Sequence, residues 1–428
     1  MHQTPRATTA TQIVFQLLIP AIVGVLTGAC VACLVKGVEA LAINRLSSLP
    51  GVIPALFAPL ALLLTCWAAR YVARAEKPST SELYISLYHQ RDAHVPLPQV
   101  PGRVLATTAT VGLGGSQGFE STSALVGATW SELLGRVPGM RITASTRRSL
   151  LASGASAGIA AVFSSPAAGA LYGMEVPYKR DVDALQLVPC AVAAFCSYAM
   201  RTWLIGEERI VTVQGMPTID GMFLLGALLV AIACGLGARL FAMAEHALQA
   251  IGSRQTRVRR AILGGSVLIL LAIAGHALCG TWITFGSGYI ATGWLHHQPR
   301  MIDVMALAFL VRASGNLVTV YGGGGGGVFT SLACNGAFLG EIVARSLQCD
   351  NTHTLALFGA VCFLGAGYRL PLACMLFLAE AGLGPLITGL GITAVAIAMV
   401  FMGNESVSDA QIDSRPAPNA EGPSASPA

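Results

Sequence analysis

Charge is what this sequence has least of. Only 11% of its 428 residues are Asp, Glu, Lys or Arg, against about 25% in an ordinary globular domain. So few charges cannot clothe a 44.2 kDa soluble particle in polar surface. With 54% of residues apolar and a mean hydropathy of +0.66, the chain is built for a lipid solvent. Soluble enzymes, secreted disulfide scaffolds and disordered chains are thereby excluded. A stripe of one charge is missing as well. The net charge is +5, and the 26 basic residues fall in short clusters between apolar runs. That excludes a nucleic-acid partner; in a membrane protein such clusters report orientation. Metal-ligand spacing is also missing. The 11 cysteines lie mostly inside apolar runs, where Cys acts as a small hydrophobe. Cys30 and Cys33 stand one helical turn apart and read as packing residues. His276 and the His296-His297 pair have no acid or Cys at a suitable spacing, and His89 and His94 read as solvated. No metal and no cofactor are expected. The first apolar run starts near Gln12, is too long for a signal peptide and carries no cleavage pattern.

What the chain has is apolar length and glycine. Residues 13–43, 52–72, 185–205, 222–251 and 261–278 are long enough to span the hydrocarbon, and 386–402 closes the membrane part. Shorter or glycine-rich runs lie at 105–115, 123–134, 150–163, 328–343, 355–364 and 371–383. The 48 glycines gather at joints: 112–118, 154–158 and the six-glycine run 322–327. Half-length helices meeting at such joints must be shielded by protein or line a polar cavity, a pattern of transporters.

The halves of the chain repeat. Residues 118–122, Gly-Phe-Glu-Ser-Thr, align with 327–331, Gly-Val-Phe-Thr-Ser, at an offset of 209. The Pro166–Glu175 and Pro371–Glu380 segments align at 205, and Glu39-Ala-Leu with His246-Ala-Leu at 207. Arg70, Arg74, Lys77, Lys179 and Arg180 share one side with Arg254, Arg257, Arg259 and Arg260, the cytoplasmic side, while 206–218 reads as external. The repeats are therefore inverted. The expected organisation is a cytoplasmic segment 1–12, a first membrane repeat 13–206, an external linker 207–218, a second repeat 219–403 and a disordered cytoplasmic tail 404–428. No room is left for an appended regulatory domain.

An inverted repeat brings half-helix ends to the bilayer midplane, where free N–H groups and the helix dipole bind anions. Gly118–Ser121 and Gly327–Thr330 are the candidate N-termini; the alternative is that their glycines merely allow close helix packing. Glu120 is a carboxylate at such an end, and charges in the membrane interior are costly and functional. Ionised, it takes the anion's place; protonated, it vacates it. Its counterpart is Phe329, so the two copies have diverged here. Glu175 closes an apolar run and either handles protons or pairs with Lys179 or Arg180. Its mate Glu380 reads as structural.

These residues resemble a family. Gly118-Phe-Glu-Ser-Thr looks like the G-[KR]-E-G-P element of the CLC chloride channels and transporters, Gly327-Val-Phe-Thr-Ser like their G-x-F-x-P element, and Pro166–Glu175 like the segment ending in the internal proton glutamate. The resemblance spans about residues 13–408. It implies an all-α polytopic membrane protein with the inverted-repeat CLC-type fold and many tilted, half-length helices. It further implies a homodimer with one anion path per subunit, in a bacterial inner membrane, with both termini cytoplasmic. Glu120 would be the external gate and Glu175 the internal proton carrier. The anion would sit at Gly118, Phe119, Gly327, Val328 and Phe329, with backbone N–H contacts from Val328 and Phe329. Departures are visible. Ser121-Thr122 replace the usual Gly-Pro, and Ser331 replaces a Pro. The G-S-G-I-P element falls near residues 77–81, so Ser79, Thr80 or Ser81 must supply any coordinating hydroxyl. The late inner-gate tyrosine is missing, and Ser408 stands about there. The implied function is transport of chloride or a similar anion, coupled to protons. The alternative is a passive channel of the same fold. A fluoride exporter ranks lower because residues 77–82 lack a methionine. An intramembrane enzyme ranks lowest, since His276 has no serine partner.

Overall fold

In hydrocarbon the backbone has no water to bond, so apolar stretches close their hydrogen bonds along the chain as helices. The computed structural model describes residues 13–75, 81–90, 93–137, 142–206, 219–297 and 301–415. The first half holds α1 (Val14–Ser47), α2 (Ile53–Val72), α3 (Ser81–His89), α4 (Val100–Gly112), α5 (Glu120–Gly135), α6 (Ala144–Phe163), α7 (Pro166–Glu175) and α8 (Ala184–Ile205). The second half holds α9 (Gly221–Ser253), α10 (Arg257–Cys279), α11 (Tyr289–His297), α12 (Ile302–Tyr321), α13 (Phe329–Ser346), α14 (Thr352–Gly367), α15 (Pro371–Glu380) and α16 (Pro385–Met402). Helix for helix, the second half repeats the first.

The packing repeats too. The α5–α6 pair is matched by α13–α14, α1–α8 by α9–α16, and α6–α7 by α14–α15. Each pair of half-length helices crosses at glycines: Gly127 against Gly154 in one copy, Gly336 against Gly359 in the other. Backbone conformation follows the duplication as well. Gly114 and Gly323, 209 residues apart, both take a left-handed φ (96° and 82°) that a side chain would strain.

The copies are inverted. Arg70 and Arg74, at the end of α2, line one surface hollow with Arg257, at the start of α10, and Arg257 Nη1 donates to the Ala75 carbonyl at 3.1 Å. Repeat-mates α2 and α10 therefore run in opposite directions.

Among the described residues, seven helices (α1, α2, α8, α9, α10, α12 and α16) are long and apolar enough to cross a bilayer. Their exposed faces carry large apolar side chains such as Phe195, Trp203, Leu240, Leu270, Leu310 and Val400, as lipid contact requires. Cys30 and Cys33, read as packing residues of a helix, lie on α1 with their thiols free and exposed. Helix α12 was not among the expected spans. Arg312, Asn316 and Thr319 interrupt its hydropathy at i, i+4 and i+7, on one buried face.

The chain after Gly403 also differs from expectation. Residues 404–415, read as the start of a disordered tail, are packed. Lys179 N–H donates to the Ile412 carbonyl (2.8 Å) and Arg180 N–H to that of Asp413 (3.0 Å). Gln411 Nε2 donates to the carbonyls of Val176 (2.8 Å) and Tyr368 (2.9 Å). Polar composition suggested disorder, but those polar groups answer unpaired backbone left by the turn at 176–183.

Candidate functional site

Two glycine loops meet at the centre of the molecule. Gly118 N–H donates to the Gly327 carbonyl at 2.9 Å, and Gly327 N–H returns the bond to Gly118 at 3.0 Å. The residues matched by the 209-residue offset thus pair with each other, as a local two-fold demands. Beyond this clasp the chain enters α5 on one side and α13 on the other, so two helix N-termini converge. The polar stripe of α12 latches the first loop: Asn316 Nδ2 donates to the Ser116 carbonyl (2.8 Å), and Thr319 Oγ1 accepts from Ser116 N–H (3.1 Å).

Glu120 is buried at the first turn of α5. Its side chain folds back over Gly118, where a Cβ would meet both carboxylate oxygens at 2.3 and 2.4 Å. Only glycine leaves that room. Oε1 then accepts the backbone N–H of Thr330, in the first turn of α13, at 2.6 Å. Oε2, also buried, has no hydrogen-bond partner among the described residues. The carboxylate therefore lies between the two helix N-termini and is held by an N–H group of α13. A fixed charge stands nearby. Arg312, fully buried, lies within electrostatic reach of Glu120. Its guanidinium donates to the carbonyls of Ile283 (3.1 Å) and Gly286 (2.8 Å) and to none of the carboxylates among the described residues.

Phe329, the counterpart of Glu120, faces the other way. Its ring packs against Phe163 (centroids 5.1 Å apart), Tyr368 (5.5 Å) and Tyr172 (5.6 Å). Of the expected anion-site residues, Gly118, Phe119, Gly327, Val328 and Phe329 are gathered here and buried. The N–H that holds the carboxylate belongs to Thr330, one residue past the expected donors. Ser79 and Thr80 lie outside the described residues. Ser81 opens α3.

A cavity of about 260 Å³ reaches this point from the basic side. Gly326, Val328 and Gln117 line its inner end; Ser253, Arg257 and Arg260 line the other. Ser408 also lines it, and its Oγ accepts Ala410 N–H at 3.3 Å. Tyr368, at the end of α14, is also on the cavity wall.

Glu175 departs from expectation. It neither lines the cavity nor pairs with Lys179 or Arg180. Its Oε1 accepts Leu372 N–H at 2.9 Å and its Oε2 accepts Ala373 N–H at 2.8 Å. Both oxygens thus cap the N-terminus of α15. Its mate Glu380 does the reciprocal work on α7, accepting Ala167 N–H at 2.8 Å and the Ser165 hydroxyl. The spacing of Pro and Glu was visible in the sequence; the partner, in the other repeat, was not. Sequence reasoning also passed over Arg312, Gln117 and Glu245. Each stands in a largely apolar or glycine-rich stretch, and only that setting could have flagged it.

Known proteins resemble this chain in sequence and in fold. The chain is 29% identical over 339 residues to the chloride/fluoride channel protein of Pseudomonas syringae pv. tomato, covering 77% of this chain and 72% of that one. It is 24% identical to the H(+)/Cl(-) exchange transporter ClcA of Yersinia pseudotuberculosis serotype IB, over 91% of this chain and 85% of the relative. Among solved structures, a CLC-type fluoride/proton antiporter superposes with a TM-score of 0.83 at 22% identity, covering 96% of this chain and all of that one. A slow cyanobacterial Cl-/H+ antiporter gives 0.80 at 19% identity, covering 92% and 96%. These two establish the fold. The voltage gated chloride channel family model matches residues 61–403, most of the sequence, and the chain belongs to that family.

Proposed function

We propose that this integral membrane protein exchanges a small anion, chloride in the first instance, for protons, with Glu120 and the anion alternating at the paired N-termini of α5 and α13. The bond from Thr330 N–H to Glu120 Oε1 carries the reading. The ionised carboxylate stands where a halide would sit, held by the same donors. Protonation removes its charge, weakens its hold on the N–H group and frees the place for the anion. One site then serves two ions in turn, which couples their movements. The exchanger named among the relatives supports this reading. The basic ends of α2 and α10 face the cytoplasm by the positive-inside rule, and the protein forms a homodimer in the bacterial inner membrane with one path per subunit.

Fluoride is the second reading. A chloride/fluoride channel protein is among the similar relatives and a fluoride/proton antiporter among the similar folds. The missing methionine near residues 77–82 argues against it.

The test is proton uptake by liposomes holding purified protein under an outward anion gradient with no proton gradient. Uphill proton movement with chloride, abolished in Glu120→Gln, is the expected result. Chloride efflux without protons makes the protein a passive channel. Proton movement with fluoride and none with chloride makes it a fluoride exporter.

A further inference from the structure

The cavity below the anion site contains acids that the anion path does not use. Glu245 sits on α9, eight residues before its last residue, Ser253. At 1.5 Å per residue that places it about 12 Å inside the helix end. It is 6% exposed and lines the cavity. Oε1 accepts one hydrogen bond, from Gln249 Nε2 at 3.1 Å. Oε2 is buried without a hydrogen-bond partner among the described residues. Burying a carboxylate with one oxygen unpaired is costly. The surroundings do not relieve the cost: Glu82 on α3 and Asp409 in the tail segment are the charges that act on it most closely, and both are acidic. His246 Nε2 is turned to Asp409 Oδ1 at 3.3 Å. Arg257 and Arg260 are the cationic side chains on the cavity wall, and Tyr368 a further titratable one. Arg260 Nε donates to the Tyr321 carbonyl (2.7 Å) and Arg257 Nη1 to that of Ala75.

A cavity that collects anions has no use for a fixed negative charge on its wall. A carboxylate that takes up and releases a proton there has a use, because the neutral form lets anions pass. We propose that Glu245 is the inner proton-transfer residue, the role that Glu175, committed to its cap, does not fill. The cavity has room for several water molecules between Glu245 and Gln117, and Gln117 Oε1 lies buried without a hydrogen-bond partner at its inner end. A proton from the cytoplasmic water adds to the Glu245 carboxylate, passes along cavity water to Glu120 and leaves Glu245 ionised again. One proton is moved per cycle and no other group is changed. The inference rests on the exchange reading.

The experiment measures proton and anion flux together in liposomes, with chloride and then fluoride as the anion. In the wild-type protein both move. In Glu245→Gln the proton-to-anion ratio falls at least ten-fold while anions still cross, and Glu245→Asp recovers part of it. Should Glu245→Gln fail to fold, Gln249→Ala gives a second readout. Loss of the one donor to the ionised carboxylate moves the pH midpoint of proton transport upward. A merely structural Glu245 would change neither ratio nor midpoint. Wild-type coupling with an unchanged ratio in folded Glu245→Gln, or an unchanged midpoint in Gln249→Ala, overturns the assignment of Glu245 alone. A wild-type protein that moves anions without protons overturns the exchange reading and this inference with it.

Discussion

Glu175 and Glu380 each close the helix that the other one ends. Glu175, last residue of α7, accepts two N–H groups at the start of α15; Glu380, last residue of α15, accepts Ala167 N–H at the start of α7. The two short helices lie antiparallel and join the repeats through a reciprocal pair of carboxylate caps. Hydrogen bonds to a charged acceptor contribute about 1.5–3 kcal/mol each where the group is buried. Glu175, which is buried, should therefore matter more than Glu380, which is half-buried. We expect Glu175→Ala to lower stability by about 2–3 kcal/mol and Glu380→Ala by less, read from thermal unfolding in detergent. Folded Glu175→Ala should keep its proton-to-anion ratio. Loss of coupling with unchanged thermal stability would restore Glu175 as a proton carrier.

The glycine crossings set how closely the site helices approach. A Cβ on Gly127 would lie 1.9 Å from the Gly154 carbonyl oxygen, and one on Gly336 would lie 2.1 Å from that of Gly359. Backbone oxygens cannot swing aside, so the helices must separate. Overpacking of this kind costs about 1–3 kcal/mol. It also shifts the first turns of α5 and α13, where the carboxylate is held. Gly127→Ala and Gly336→Ala should each depress both thermal stability and transport, whereas Gly389→Ala, whose Cβ meets nothing within 4 Å, should change neither. Equal behaviour of all three would show that the crossings do not govern the site.

Among the described residues, Arg312 is the buried cation whose charge acts on Glu120. Its donors are anchored to the carbonyls of residues 283 and 286, so the charge cannot move away from Glu120. If that charge holds the anion, Arg312→Lys should retain much of the affinity and Arg312→Met should lose it. A ten-fold rise in the anion concentration for half-maximal flux, about 1.4 kcal/mol, is the size expected for Arg312→Met. The comparison separates charge from packing, because Lys and Met have unbranched stems of similar length and only Lys carries a charge. Similar half-maximal concentrations in both variants would assign Arg312 to structure alone.

Parts of the molecule were legible in the sequence for a physical reason. Duplicated glycines stay where two backbones must touch, so the 209-residue offset led directly to the Gly118–Gly327 clasp and to Glu120 between the N-termini. A half-length apolar run cannot span alone, which announced the broken helices. What stayed hidden depends on partners far apart in the chain. Glu175 could be seen to end a helix, but its donors lie 197 and 198 residues later. Helix α12 was obscured by its own buried polar residues: Asn316 and Thr319 bind Ser116 of the glycine loop, and Arg312 binds the carbonyls of Ile283 and Gly286. Glu245 is one letter in a 33-residue apolar helix, and only the cavity gives it meaning. The order of residues 404–415 depends on backbone groups at 176–183 that no local pattern reveals.

That last contact is sensitive to acid. Asp181 lies in the turn after α7, and Arg415 N–H donates to its Oδ2 at 3.0 Å, with Arg415 Nε at 3.3 Å. The backbone donor, joined by the guanidinium, holds the Asp181 carboxyl below its usual range. A carboxylate whose folded value is depressed stabilises the docked state above its unfolded value, about 3.9, and loses that contribution as pH falls through the folded value. Arg415 Nη1 also reaches Asp183 Oδ1 at 2.8 Å, so protonation of Asp181 loosens the tail without cutting its last tie. Amide hydrogen exchange at Lys179 and Arg180, whose N–H groups bond residues 412 and 413, should therefore be slow at neutral pH. Corrected for intrinsic rates, it should accelerate several-fold below about pH 4. Asp181→Asn should reproduce part of the loosening at pH 7. Protection that persists unchanged to pH 3, or that is untouched by Asp181→Asn, would place the hold on the tail in Gln411 and its carbonyl partners instead.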